Sequence, residues 1–427
     1  MKYGLIGEHL PHSFSREIHG RCADYTYELK ELTPEEVGPF LERADFSGIN
    51  VTIPYKKTVI PYLAGLDPVA ERIGAVNTVV KRDGRLLGYN TDFFGLLSLV
   101  RRLGVSLAGK KALILGSGGT ASTARAVLLH EGASPILSVS RHPGKDTVGY
   151  SEALTEHADA AFIINTTPVG MYPYADGRDG EAGVPIDLAC FPSLLGVVDA
   201  VYNPIRTSLV LYARERGIPA EGGLYMLVSQ AVIASRIFLG EEPRDILEDP
   251  EATRLTERIF REIQREKENI VLIGMPSSGK STVGAILSSL LGRPLFDTDA
   301  EIVRRTGTDI PTLISEEGEA AFRSIESEAV KDLAGNERGA VIATGGGAIL
   351  RDDNLRALRR TGRLYFLDRP LDLLLPTEDR PLASTREAIE ARYHERYARY
   401  TSTADVRVPN EGTAEEAALF IRKDFSE

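Results

Sequence analysis

Short apolar runs recur along the chain, each closed by glycine, proline or small polar residues. In the first hundred residues they fall at Lys2–Ile6, Tyr25–Leu29, Gly48–Ile53 and Ala75–Lys81. Runs of this length between turn formers predict strands, and the segments separating them predict helices, the alternation of an α/β fold. The pattern continues at Lys110–Leu115, Ile136–Val139, Ala161–Asn165 and Gly196–Ala200, with a helix predicted over Thr120–His130. Glu221–Ala231 sets a glycine pair before a helix with an apolar face. Between Glu241 and Asn269 the chain is dense in charge and scores as helix, with Leu255, Ile259 and Ile263 at helical spacing. Further strands are predicted at Ile270–Ile273, Ala340–Thr344 and Arg363–Leu367, and a closing helix at Thr413–Phe425.

Two of these strands open into glycine turns. GMPSSGKS, Gly274–Ser281, is G-x-x-x-x-G-K-S between an apolar run and a helical pattern. Such a loop, with Ser277, Ser278, Gly279 and Thr282 beside the key residues, curls backbone N–H groups around a polyphosphate. Lys280 brings a charge to the outer phosphates, and the Ser281 hydroxyl can ligate Mg²⁺. In the other turn Gly116, Gly118 and Ala121 satisfy G-x-G-x-x-[GA], with Gly119 between them, a dinucleotide fingerprint. An NAD-specific site places an acid after the following strand; here Arg141 and Lys145 stand instead, which suits a 2′-phosphate and favours NADP over NAD. The bland reading of these two is a solvated basic loop.

Polar clusters collect at the ends of the early strands: His12–Ser15, Asn50–Lys57, Gly74–Thr78 and Gly88–Asp92. Ligands of open α/β sheets sit outside the carboxyl ends of strands, so four clusters in register predict one cleft, although each alone reads as turn chemistry. Asn50–Lys57 is expected to carry the third strand into a helix. Lys56 and Asp92 have catalytic potential: a lysine in a cleft can protonate a carbonyl oxygen while a carboxylate orients it. Otherwise they form an exposed salt bridge of little worth. In the last third, Asp297 and Asp299 are two apart on a segment expected to be extended, so one can face Mg²⁺ and the other an acceptor. Arg323 and Glu326 share a helix face, as surface pair or substrate clamp. Gly345–Gly347 fits a backbone packed against a small ligand. Residues 370–383 read as a mobile lid bringing Arg380 to the phosphates, and the helix Arg392–Tyr400 offers Arg396.

Composition narrows the partners. A chain of 427 residues suggests two to four domains, and its 43% hydrophobic and 26% charged content is that of a soluble globular protein. A net charge of −11 without a long basic run argues against nucleic acid or an anionic membrane as partner. No run of about 18 apolar residues exists to span a bilayer, and MKYGLIGEHL lacks a signal-peptide core. The two cysteines, Cys22 and Cys190, predict neither a disulfide framework nor a zinc site, and a reducing cytoplasm is the expected home.

At this point the residues match known families. Residues 1 to 240 resemble shikimate dehydrogenases through HSFS, NVTIPYKK, GAVNT, GYNTD, GSGGTA, NTTP and GGLYMLVSQ, in that family's order. From residue 269 onward the chain resembles shikimate kinases through GMPSSGKST, FDTD, FRxxE, TGGG, DRPLA and the helical RxxxY. The resemblance implies a substrate-binding α/β domain over 1–100 with return helices at 222–245, and a Rossmann-like NADP domain over 101–221. It implies a charged helical connector over 246–268 and a P-loop kinase domain with a central parallel sheet over 269–427. By similarity Ser13, Ser15, Thr52, Lys56, Asn77, Asp92 and Gln230 would hold the shikimate skeleton, with Lys56 and Asp92 as the acid–base pair. The glycine turn, Arg141, Lys145, Thr167, Tyr202 and Gly223 would hold NADP(H). In the second half Asp299, Arg323, Gly346 and Arg396 would bind shikimate, beside Glu326, and Asp299 would position or deprotonate the attacking hydroxyl. Asp297 and Ser281 would serve Mg²⁺, while Lys280 and Arg380 would steady the phosphoryl group of ATP. The implied activity is consecutive: NADPH reduces 3-dehydroshikimate, and ATP then phosphorylates the hydroxyl so formed. Alternatives are a metabolite-sensing regulator that lost the chemistry, or the same folds acting on quinate or another small polyol. A homodimer is left open.

Overall fold

Polar turns follow apolar strands here because the strands are buried while their carboxyl ends open onto clefts. The structure, a computed structural model, describes residues 1–10, 14–172, 183–376 and 385–426. They fall into two units, Met1–Asn203 with Thr207–Ile263, and Gln264–Glu427 with Pro204–Arg206.

The first unit holds two sheets. One takes β1 (Tyr3–Gly7), β2 (Tyr27–Glu31), β3 (Gly48–Val51), β4 (Gly65–Leu66), β5 (Thr78–Arg82) and β6 (Arg85–Tyr89) in the order β2-β1-β3-β5-β6-β4. β1 pairs in parallel with β2 and β3, whereas β5 runs antiparallel to β3 and β6. The intervening and following helices are α1 (Ser15–Cys22), α2 (Pro34–Arg43), α3 (Pro68–Ile73) and α4 (Thr91–Arg102). Their starts are written locally: Thr33 and Glu36 make a capping box on α2, Asp67 caps α3 and Asn90 caps α4. The helix expected after β3 does not form. Thr52–Val59 is a run of turns ending in a single 3₁₀ turn at Ile60–Tyr62, because Pro54 and Pro61 each lack the N–H a helix needs.

The other sheet is wholly parallel. It comprises β7 (Ala112–Leu115), β8 (Ile136–Val139), β9 (Thr147–Val148), β10 (Phe162–Asn165), β11 (Gly196–Asp199) and β12 (Ala220–Glu221), in the order β12-β11-β10-β7-β8-β9. Its helices are α5 (Gly119–His130), α6 (Tyr150–Thr155) and α7 (Ser208–Glu215). Strand order reverses between β7 and β10, the switch point where such sheets bind ligands. The chain then returns in α8 (Leu224–Phe238), which is buried along most of its length and packs on α4. Gly95 lets those helices touch: a side chain there would stand 2.7 Å from the Met226 carbonyl oxygen. After α9 (Pro243–Glu248) comes α10 (Pro250–Lys267), whose Ala252, Ile259, Phe260 and Ile263 are buried. Phe260 meets Tyr225 edge-on, and the Arg102 guanidinium lies over both rings while its nitrogen binds Glu257.

The second unit is a single parallel sheet. β13 (Asn269–Ile273), β14 (Leu295–Asp297), β15 (Val341–Ala343), β16 (Gly362–Asp368) and β17 (Val406–Pro409) lie in the order β14-β15-β13-β16-β17. Its helices are α11 (Lys280–Leu291), α12 (Thr298–Thr306), α13 (Ile310–Glu317), α14 (Glu319–Asn336), α15 (Asp352–Thr361), α16 (Arg386–Thr403) and α17 (Ala414–Ser426). The central strand β13 is fully buried, as its NIVLI sequence requires. Asp297 and Asp299 do not share an extended segment. Asp297 ends β14 and caps α12, accepting from the Asp299 and Ala300 N–H groups, so Asp299 lies in the first helical turn. Among the described residues no helix is long and apolar enough to cross a membrane.

Candidate active sites

In the first unit a cavity of about 520 Å³ opens between the carboxyl ends of the two sheets. Ser15, Thr52, Lys56, Asn77, Asp92, Tyr202, Gly223 and Gln230 all line it, so most of the expected residues meet in one place. Ser13 lies outside the described residues. Lys56 Nζ stands 2.6 Å from Asp92 Oδ2, both partly shielded from solvent. Thr91, next to Asp92 and fully buried, ties this floor together: its N–H donates to Asn77 Oδ1 at 2.7 Å, and its hydroxyl to Gln230 Oε1 at 3.3 Å. Asn50, also in the wall, accepts from the Tyr27 hydroxyl at 2.7 Å and donates to Thr78 Oγ1 at 3.0 Å. Neither Thr91 nor Asn50 was singled out from sequence. Their sequence signal was membership of the polar clusters at strand ends.

Thr120, near the amino end of α5, lines the same cavity and brings the glycine turn to it. Gly116 has φ +110°, and a side chain there would meet Thr166 Oγ1 at 2.8 Å. Gly118 caps α5 and Gly119 begins it, leaving first-turn N–H groups for an anion. Arg141 and Lys145 are exposed between β8 and β9. Thr167 follows β10, donating from both N–H and hydroxyl to Asn165 Oδ1, at 3.0 and 2.7 Å. Asn165 is itself held by Asp199, which is fully buried at the end of β11 and also accepts from Val201 N–H and the Thr207 hydroxyl. Burial pushes the Asp199 carboxyl up to about 6, against the pull of these donors. At Gly223 a Cβ would sit 2.2 Å from the Ala200 carbonyl oxygen. Only glycine passes there. Uncovered helix-start amides, a glycine turn and two exposed cations suit a dinucleotide phosphate chain.

In the second unit the loop Gly274–Ser281 follows β13. Gly274, Ser277 and Gly279 take φ values of +154°, +63° and +85°, the twists that turn successive N–H groups inward. Ser278 is buried, while Ser281 and Thr282 are exposed at the start of α11. Lys280 Nζ donates to the Gly274 and Met275 carbonyls, both at 2.9 Å. Asn410, beyond β17, braces the loop by donating to the Ser278 carbonyl at 2.7 Å. Ser281 Oγ donates to Asp297 Oδ2 at 2.6 Å, two hard oxygens side by side at the phosphate end. That donor set fits Mg²⁺, which takes one or two protein oxygens and keeps water for the rest.

Beside the loop is a cavity of about 620 Å³ that Ser281, Asp297, Asp299, Arg323, Glu326, Gly346 and Arg396 all line. Arg323 Nη1 binds Glu326 at 2.8 Å; burial raises the Glu326 carboxyl above its usual range, and Arg323 pulls it back. Arg396 is buried and donates to the Gly346 carbonyl at 3.3 Å, which the Tyr400 hydroxyl also grips. Arg392 completes this wall and was missed; its i, i+4 spacing from Arg396 was the available signal. Arg380 lies outside the described residues.

A dinucleotide-type sheet with a lysine–carboxylate pair in its cleft defines an oxidoreductase unit, and the P-loop with a polar acceptor pocket defines a phosphotransferase unit. The family model "Shikimate dehydrogenase substrate binding domain" matches residues 5–79, and "Shikimate kinase" matches residues 276–424. A curated shikimate dehydrogenase (NADP(+)) from Clostridium beijerinckii is 33% identical over 251 residues, 55% of this chain and 91% of that protein. Solved relatives include shikimate dehydrogenase 1 from Peptoclostridium difficile, at 31% identity and TM-score 0.52, covering 62% of this chain and 98% of that one. Another is a chorismate mutase/shikimate 5-dehydrogenase fusion from Clostridium acetobutylicum, at 34% and 0.54, covering 61% and 96%. The chain belongs to the shikimate dehydrogenase family and carries a shikimate kinase domain behind it.

Proposed function

We infer that this is a bifunctional enzyme that reduces 3-dehydroshikimate to shikimate with NADPH and phosphorylates shikimate to shikimate 3-phosphate with ATP and Mg²⁺. The observation that carries the reading is one arrangement built twice: a glycine turn facing a cavity lined by acceptors and cations suited to a carboxylated polyol. We take residues 1–100 with 222–245 as the substrate domain, 101–221 as the NADP domain, 246–268 as connector and 269–427 as the kinase.

In the first site Ser15, Thr52, Asn77 and Gln230 hold the ring hydroxyls and carboxylate. NADPH supplies a hydride to the ketone carbon. Lys56 Nζ gives the proton that the carbonyl oxygen needs as it becomes a hydroxyl, and Asp92, 2.6 Å away, keeps that amine aimed. The glycine turn, Thr167, Tyr202 and Gly223 hold the dinucleotide, with Arg141 and Lys145 at its 2′-phosphate. In the second site Arg323, Gly346 and Arg396, with Glu326 fixing Arg323, hold shikimate. Asp299 takes or orients the hydroxyl proton, while that oxygen bonds the γ-phosphorus and ADP departs. Ser281 and Asp297 would hold Mg²⁺, Ser277–Thr282 the phosphates, and Lys280 and Arg380 the charge that develops on the transferred group. Phosphoryl transfer is mostly positioning and charge neutralisation, which these residues supply. A cytoplasmic setting accords with two free cysteines, Cys22 and Cys190. Assembly as a homodimer belongs to the same proposal, and light scattering decides it.

The test supplies 3-dehydroshikimate, NADPH, ATP and Mg²⁺ together and identifies the product by mass. Shikimate 3-phosphate is expected; no turnover of either kind would leave only a ligand-sensing role. Lys280→Ala should abolish phosphorylation and leave NADPH oxidation intact. Equal loss of both in a folded protein refutes separate sites.

A further inference from the structure

Among the described residues three guanidinium groups, not two, face the acceptor cavity of the kinase unit. Arg323 comes from α14, and Arg392 and Arg396 come from one face of α16, a single turn apart. Arg323 is committed within the protein, with Nη1 on Glu326 at 2.8 Å and Nη2 on Glu319 at 3.1 Å. Arg396 is only partly so: Nη1 donates to the Gly346 carbonyl at 3.3 Å, while its buried Nε makes no hydrogen bond and lies 3.9 Å from a Glu395 carboxylate oxygen. Burial lowers the proton affinity of Arg392, and the charges of Arg396 and Arg323 lower it further, against the pull of the Glu319 and Glu395 carboxylates. Two like charges one helical turn apart repel each other, and an anion placed between them reverses the sign of that interaction. The planar fork of arginine matches a carboxylate better than any other side chain does.

We propose that Arg392 is a specificity-determining residue of the phosphotransferase pocket, reading the acceptor's carboxylate together with Arg396 so that uncharged polyols are rejected. This rests on the reading of that cavity as the shikimate pocket. Asp299 and Glu326 line the same pocket, so guanidinium groups and hydroxyl-accepting acids together suit a molecule that carries both a carboxylate and hydroxyls.

The experiment compares kcat/KM of wild type, Arg392→Leu and Arg392→Lys with shikimate and with its uncharged methyl ester. Arg392→Leu should lose about ten- to a hundredfold on shikimate, the span of one charge-assisted hydrogen bond, mostly through KM. On the ester it should lose less than about threefold, so that discrimination between acid and ester collapses, and KM for ATP should stay unchanged. Arg392→Lys should recover part of the discrimination, since it restores charge without the fork. Equal losses on acid and ester, or no loss on either, overturn the proposal while the pocket reading stands. A wild type that phosphorylates neither overturns both.

Discussion

Asp199→Asn changes charge and hydrogen-bond polarity at a fully buried position while leaving shape nearly constant. All three neighbours of the carboxylate donate: Asn165 Nδ2 at 2.9 Å, the Val201 N–H at 3.0 Å and the Thr207 hydroxyl at 2.6 Å. An asparagine accepts through one oxygen only and turns its NH₂ toward a donor, a pH-independent loss of about 1–3 kcal/mol for each group left unsatisfied. The wild-type carboxyl, raised by burial from 3.8 to about 6, binds its proton more tightly folded than unfolded. Folding is therefore favoured by this group below the unfolded value, and that advantage disappears as pH rises through about 6. The gap between 3.8 and 6 corresponds to about 3 kcal/mol, spread between roughly pH 4 and 6. Asparagine cannot titrate. The stability difference between wild type and variant should thus shrink by about 3 kcal/mol from pH 4 to pH 7. Hydrogen exchange of the β10 and β11 amides, corrected for intrinsic rates, measures it without interference from the kinase unit. A gap that is constant with pH, or that widens as pH rises, refutes the argument.

Two further substitutions probe other joints. Gly95→Ala places a methyl 2.7 Å from the Met226 carbonyl and 2.9 Å from Gln230 Cβ, so α4 and α8 must part. Thermal unfolding should register about 1–3 kcal/mol of destabilisation, and KM for 3-dehydroshikimate should rise as Gln230 moves. Arg141→Ala should raise KM for NADPH about tenfold or more and leave KM for NADH unchanged; a parallel change in both would show that Arg141 does not read the 2′-phosphate.

Strong patterns in the sequence marked what the backbone alone decides. The strand–glycine-turn–helix units at β7–α5 and β13–α11 were legible because apolar run, glycine and helix start are contiguous. Elements set by neighbours were not. β17 is four residues ending in Pro409 and exists by pairing with β16, and β4, β9 and β12 are two-residue pairings without a pattern of their own. The Asn50–Lys57 segment misled through its lysines, which suit a helix, while Pro54 within it and Pro61 just beyond it stood against one. For the site, residue types at strand ends located the clefts. Thr91, Asn50 and Arg392 stood in legible clusters and spacings, but what singles them out is what faces them across the fold.

The hydrogen bond from Asn410 to the Ser278 carbonyl has a consequence in time. The glycine loop is encoded early in its unit, at Gly274–Ser281, yet its brace lies beyond β17, near the end of the chain. At about 5–20 residues per second, the ribosome reaches Asn410 roughly 7–30 s after the loop has been translated. Every residue of the first unit, including all of β1–β12, precedes that loop. The reductase can therefore take shape during synthesis, whereas the phosphate cradle stays unbraced until translation is nearly over, so prematurely terminated chains would reduce without phosphorylating.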